Sequence, residues 1–448
     1  MDAGAFGRGA ILAYGALGLP LAFAALPLYV HVPRLYAGEV GLSLATVGAV
    51  LLAARIVDAV TDPLIGWASD RIRGRRGLLL VACLLLGLSL PALLSPPADA
   101  GVGWLFGFIV LVSLAYSVAS IAYSAWGAEV APTPDLRTRF VAAREGFALL
   151  GVVLAAALPA VLAQGAGEAA GLARLSWIFL PLLLACAAWT LLGAPAAPVH
   201  AGRGQSVWGG LAGALRDGAF VRLLAVFAVN GIAAAVPSAT VLFFVADVLQ
   251  ADDRAAGAFL VLYFAAAAAS LPLWVALSRH LGKLRAWLAG MVLAVAVFVW
   301  AGLLGSGDLL AYGAICVLSG VALGADLSLP PSLLADLLAR SQEMGAGGAE
   351  ARGGGVRAGA CFGWWNFVTK ANLALAAGLA LPLLAALGYA PGARDADATA
   401  ALAMVYAGLP VVLKLGAVVL LWRWRGQIEP VAAATDSAAA AALREVRS

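Results

Sequence analysis

The stretch Arg55-Ile-Val-Asp58-Ala-Val-Thr61-Asp62-Pro63-Leu-Ile-Gly66-Trp-Ala-Ser-Asp70-Arg71-Ile-Arg-Gly74-Arg75-Arg76 decides how the chain reads. Its first half ends an apolar run that begins near residue 43. Its second half is a short basic turn, after which another apolar run begins near residue 78. About 20 apolar residues suffice for a helix to cross a bilayer. Arg55, Asp58 and Asp62 therefore sit inside a segment whose length and apolarity suit a membrane span. A charge at mid-membrane costs about 2.5–3.5 kcal/mol on insertion scales and marks a functional position by default.

The rest of the chain has the same character. Of 448 residues, 63% are hydrophobic and 12% charged, and mean hydropathy is +0.97. Soluble domains carry about 25% charged residues. This balance excludes a soluble enzyme, a nucleic-acid-binding protein and a disulfide-stapled secreted domain, and no strand-length alternation points to a transmembrane barrel. Cys83, Cys186, Cys316 and Cys361 stand alone in apolar segments, with no metal-ligand spacing. No nucleophile–base pair is evident, so the chain is not read as an enzyme.

Twelve apolar spans are expected, near 10–32, 43–67, 78–96, 102–128, 141–164, 173–194, 219–248, 256–278, 285–304, 309–338, 358–388 and 400–422. The Lys and Arg residues between them orient the chain, because cytoplasmic loops collect basic residues. Twenty-one of the 28 fall on one side and four on the other. Both termini are therefore expected in the cytoplasm, in an inner (cytoplasmic) membrane. A Pro- and Gly-bearing break at 195–218 divides the chain into six-span halves, 1–194 and 219–425, and leaves 426–448 as a mobile tail. The halves echo each other. Pro63 to Arg76 follows the second span, and Pro272-Leu-Trp-Val-Ala-Leu-Ser-Arg-His-Leu-Gly-Lys-Leu-Arg285 follows the eighth. Internal repeats of this kind are how many transporters are built. The fold class expected is an all-α membrane protein of twelve helices in two pseudo-symmetric six-helix bundles.

Asp58 and Asp62 are four residues apart, so they share one helix face with Cβ atoms about 5–6 Å apart. Two like charges this close require compensation. A monovalent cation, a proton or Arg55 would each supply it, and carboxylate and hydroxyl oxygens suit a hard cation. The alternative is a structural Arg55–Asp58 pair, which leaves Asp62 over. Lys370 lies deep in the eleventh span on the same face as Asn366. It is either a solute or coupling residue or the partner of a membrane acid such as Asp58 or Asp62. Asp326, in the tenth span, is a substitute solute carboxylate, a partner of Lys370 or a structural ion-pair member. In the fourth span Ser113, Tyr116, Ser117, Ser120 and Ser124 follow helical spacing and form a polar stripe. The stripe either lines a cavity or eases helix packing. Trp126, Trp364 and Trp365 suit stacking on a solute ring or anchoring at the interface.

Gly66-xxx-Asp70-Arg71-xx-Gly74-Arg75-Arg76, between the second and third spans, resembles the signature loop of the major facilitator superfamily. Arg55-Ile-Val-Asp58-Ala-Val-Thr61-Asp62-Pro63 resembles helix 2 of the glycoside–pentoside–hexuronide:cation symporters, the melibiose permease group. Ala335-Asp336, Trp274 ahead of Gly282-Lys283, and Asn366-xxx-Lys370 fit the same family, and the likeness runs over roughly residues 10–425. The resemblance implies alternating access and uptake of a small solute with Na⁺ or H⁺, Li⁺ being an alternative, and no further cofactor. It places the cation at Asp58 and Asp62, with Thr61 beside them and Ser117 assisting. It places solute contacts at Arg144 and Lys370, and we add Tyr116, Ser120, Asp326, Trp365 and Asn366. Ser120 and the region of Pro20 stand where the family carries sugar-binding carboxylates, so the cation half of the site is kept and the sugar-chelating acids are replaced. Asp70, Arg71, Arg75 and Arg76, with Glu129 and Arg139 as partners, are expected to gate the cytoplasmic end. The expected partners are a small solute and the lipid bilayer, with no nucleic acid, and the expected state is a monomer. An uncoupled uniporter, or a carrier of an anionic, amphipathic or lipid-like solute, is the alternative.

Overall fold

The computed structural model describes residues 6–72, 74–163, 168–196, 207–346, 358–393 and 395–428. The inner part of the 195–218 break, the loop 347–357 and the tail beyond 428 lie outside the described residues. The first half comprises α1 (Arg8–Ala16), α2 (Gly18–Arg34), α3 (Leu44–Ser69), α4 (Arg75–Leu94), α5 (Val102–Val130), α6 (Pro134–Ala163) and α7 (Glu168–Gly193). A short helix, α8 (Val207–Arg216), precedes the second half. That half contains α9 (Gly218–Phe243), α10 (Asp253–Leu281), α11 (Lys283–Phe298), α12 (Leu309–Ala346), α13 (Ala358–Ala386), α14 (Ala396–Ala403) and α15 (Leu409–Ile428).

Among the described residues, eleven helical segments are long and apolar enough to cross a membrane. The twelfth crossing is α3. It has 26 residues, about 39 Å at 1.5 Å per residue, and Arg55, Asp58 and Asp62 fall in its middle. Leu52, Ile56 and Val60 are each at least 60% exposed, whereas Asp58 and Asp62 are buried. Residues 58 and 60 are about 200° apart around a helix, so α3 has an apolar outer face and a charged inner one.

Two spans differ from the sequence expectation. The first is two helices joined at Leu17, and the cause is a side chain from α7. Thr190 donates through Oγ1 to the Ala13 carbonyl at 2.7 Å and accepts from the Leu17 amide at 3.2 Å. Ala13 and Leu17 would be an i→i+4 backbone pair, so the hydroxyl has inserted into the helix ladder. The last span is interrupted by a wide turn at Met404–Gly408 between α14 and α15. Pro63, by contrast, does not interrupt α3. Some helix starts are capped by side chains: Ser43 accepts from the Thr46 amide, and Asp217 from the amides of Ala219 and Phe220.

The halves repeat one local device. Gly74 precedes α4 with φ +90°, and Gly282 precedes α11 with φ +81°, a region that favours glycine. Arg75 and Lys283 then open the equivalent helices. One apolar core, including Phe23, Leu86, Leu90 and Phe179, fills the first bundle. Two others fill the second bundle, around Trp287 and Leu334 and around Phe244 and Tyr406. A smaller cluster of Ala142, Leu149, Ala267, Leu271 and Val275 joins α6 to α10 across the bundles.

Candidate functional site

The charged face of α3 meets α5 and α13. Lys370, on α13, places Nζ 3.2 Å from Asp58 Oδ1 and 3.1 Å from Asp62 Oδ2. The same ammonium donates to Ser117 Oγ on α5 at 2.8 Å. Asn366, one turn before Lys370, donates through Nδ2 to Asp62 Oδ2 at 2.8 Å. Arg55 Nη1 stands 4.0 Å from Asp58 Oδ2. Two carboxylates thus face two cations, and the cluster is neutral as it stands. Asp62 is fully buried and Asp58 nearly so. Unpaired charges there would be costly, so Lys370 is structurally demanded. Three helices from both bundles contribute to one cluster.

Thr61 stands apart from this cluster. Its hydroxyl donates to the Val57 carbonyl at 2.8 Å, the back-bonded arrangement of a helical threonine.

A second polar group lies toward the Asp70 end, where α5 and α6 face α12 and α13. Arg144 donates to Ser124 Oγ at 2.6 Å and, through Nε and Nη2, to Glu145 Oε1 at 2.9 and 2.6 Å. Tyr14 donates to the Tyr123 carbonyl at 2.9 Å, and Tyr123 donates to the Tyr14 carbonyl. A narrow cleft runs between Tyr14, Ser124, Arg144 and, on the other bundle, Pro331 and Phe362. Sequence reading missed Glu145. It lies beside an arginine at the edge of an apolar run, where a charge reads as topology. Its carboxylate offers an acid in the neighbourhood where Ser120 fails to supply one. Trp365 stacks on Phe227 with ring centroids 3.7 Å apart, so its face is already occupied. Tyr116 and Ser120 remain partly buried on the inner stripe of α5.

Asp326 joins neither group. It accepts from Lys414 Nζ at 2.6 Å through Oδ2 and from Trp287 Nε1 at 2.8 Å through Oδ1. Of the readings left open for Asp326, the structure shows an ion pair, and its partner is Lys414 on α15, within one bundle, instead of Lys370. The sequence had left Lys414 without a partner.

The Asp70 loop closes one end of the molecule. Asp70 accepts from Arg75 Nη2 at 3.0 Å and from the amides of Gly359 and Ala360 at 2.8 and 2.9 Å. Those amides belong to the first turn of α13, where the helix dipole favours a carboxylate. Burial pushes the Asp70 carboxyl above the usual range, against the opposing pull of Arg75 and the two amides. Arg75 also grips Glu129 at the end of α5, with contacts of 2.8 and 2.5 Å. In the second half Lys283 holds Asp336, in the last third of α12, at 2.6 Å. Arg137 crosses from the first bundle to the same Asp336 at 3.0 Å, and Arg279 crosses back to Asp135. Arg71 stacks on Trp67. Arg76 donates to the Ala194 carbonyl at 2.6 Å, at the start of the 195–218 break. Arg139 departs from expectation: its partner is Asp135 on its own helix, at 3.7 Å, and both are exposed.

Helical bundles of six with charged groups buried between them define a multi-pass membrane transporter of the major facilitator type. The chain belongs to the MFS/sugar transport protein family, whose model matches residues 11–425. It is 30% identical over 169 residues to a Synechocystis protein named an uncharacterized symporter. That match covers 34% of this chain and 31% of the relative, so the chain spans under a third of that relative's length in the comparison. Among solved structures, a bacterial homologue of the iron transporter ferroportin in an outward-facing state superposes with TM-score 0.66. It is 17% identical and covers 93% of this chain and 99% of its own. The human organic anion transporter MFSD10 gives TM-score 0.66 at 17% identity, covering 92% and 99%. At such identities the likeness is one of fold.

Proposed function

We propose that the chain is a cation-coupled symporter that moves a small solute by alternating access. The observation that carries this reading is the position of Lys370, whose ammonium sits among Asp58, Asp62 and Ser117. Those oxygens are the ones a Na⁺ or proton would use. Lys370 already fills the space between them, so a coupling cation binds only as Lys370 withdraws. Cation entry and Lys370 occupancy then exclude each other, and Asn366 steadies Asp62 through the exchange.

The solute would bind where the bundles meet, against Tyr116, Ser120, Ser124, Arg144 and Glu145. Arg144 is matched by Glu145, and Lys370 by two aspartates. Neither cation is left over, which favours a neutral, hydrogen-bonding solute such as a sugar. An organic anion, the solute class named for one structural neighbour, is the second reading. It requires Arg144 or Lys370 to leave its carboxylate. The Asp70 and Asp336 ties would hold the cytoplasmic end shut, with the solute path open to the other side.

Uptake into proteoliposomes under imposed Na⁺ and proton gradients tests the proposal. We expect Asp58→Asn and Asp62→Asn each to reduce gradient-driven uptake at least a hundredfold. Uptake that survives in both, with no dependence on Na⁺ or pH, would select an uncoupled uniporter instead.

A further inference from the structure

The second bundle contains a cavity apart from the Arg144 cleft. Its volume is about 150 Å³, and it lies among α9, α10, α11, α12 and α15. Every residue that lines it comes from the second half of the chain, and it shares none with the cleft at Arg144. Its walls are largely apolar, with Phe259, Phe264, Phe298 and Leu323 prominent. Apolar cavities of about this size accept a single aromatic ring.

One region of the wall is polar. Lys414 and Asp326 both line the cavity and form the 2.6 Å pair described above. An ammonium carries three donors. Lys414 gives one to Asp326 and, among the described residues, no other hydrogen bond. Tyr263 also lines the cavity, and its hydroxyl makes no hydrogen bond among the described residues. The wall therefore offers unspent donors beside a carboxylate that can accept more. It is also electrically neutral, since one acid offsets one base. A ligand with a charged head would leave a net charge in a poorly solvated space, at a high desolvation cost. A head that both accepts and donates without charge meets no such penalty.

We propose that this cavity is a second binding site, selective for uncharged single-ring aromatic molecules with one hydroxyl or amide head. The ring occupies the Phe259, Phe264 and Phe298 surface. The head accepts from Lys414 or Tyr263 and donates to Asp326. Occupancy adds bulk between α10, α12 and α15 without touching Lys370.

Photolabelling of the full chain in lipid nanodiscs tests this, with three probes that share a ring and differ in head: 3-azidobenzyl alcohol, 3-azidobenzoate and 3-azidobenzylamine. We expect the alcohol to label α10 and α12 saturably, at least tenfold above either charged probe at pH 7, and to be competed by benzyl alcohol. Ser319→Leu, which adds bulk to the cavity wall, should lower that labelling about tenfold. The three-probe comparison in the unmodified chain stands even if the variant does not fold. Equal labelling by all three heads, labelling that rises linearly with probe as bilayer partition would give, or full labelling of folded Ser319→Leu would each overturn the proposal.

Discussion

The molecule contains two buried acid–base groups of contrasting construction. The Asp58–Asp62–Lys370 cluster spans three helices of both bundles, and one ammonium is shared among three oxygen-bearing side chains. The Asp326–Lys414 pair lies within one bundle, each carboxylate oxygen having its own donor. A shared cation can be surrendered to a competitor while its acids keep other partners. In the dedicated pair, Asp326 would keep only the neutral Trp287 indole donor. Under the proposed mechanism, the difference separates a group that exchanges its cation from one that stays in place.

The largest test of that distinction is functional. Asp62→Asn should abolish gradient-driven uptake, whereas the double variant Asp326→Asn/Lys414→Met should retain its Na⁺ or pH dependence. Loss of ion dependence in the double variant would erase the contrast. The next test is one of stability. Asp326→Asn alone leaves Lys414 buried without its counter-charge, and breaking a buried pair this way costs about 3–5 kcal/mol. The double variant should recover most of that loss in thermal unfolding, because removing both charges is often near neutral. At the closed end, Gly359→Ala would place a Cβ 2.3 Å from Ser69 Oγ and 2.4 Å from the Gly66 carbonyl. Overpacking of this kind costs about 1–3 kcal/mol. It should raise cysteine-probe access to that end. The smallest effect belongs to Arg139→Ala. An exposed ion pair within one helix contributes about 0.3–0.5 kcal/mol, so uptake and melting should change little.

Much of this was legible in the chain itself. The Gly66–Arg76 loop announced its family through residue type and spacing, and the basic residues announced the alternation of spans. Asp58 and Asp62 stood out because an apolar run cannot hide them. What the chain left open was pairing: Lys370 as the partner of Asp58 or Asp62 was one of its readings, and the structure makes both contacts. Lys370 and Asp62 are 308 positions apart, and which face of α13 turns inward depends on packing that one helix does not encode. The same gap left Asp326 open between a solute role, Lys370 and another ion-pair partner, and the partner is Lys414. Thr190 entering the ladder at Leu17 was equally invisible, since a threonine in an apolar span reads as an ordinary packing residue.

The approach of α3 to α13 has a mechanical consequence. At Gly66, Gly359 and Gly363 the two helices touch backbone to backbone, close to the turn that carries Asp62. Little side-chain bulk separates the helices there, so the contact would serve as a fulcrum with unequal arms. Asp62 is four residues from Gly66, a lever of about 6 Å, while Leu44 is about 33 Å away. A tilt of about ten degrees would move Leu44 by about 6 Å and Asp62 by about 1 Å. The long arm swings far enough to open or close a passage. The short arm moves by about the margin that separates a hydrogen bond from a broken one.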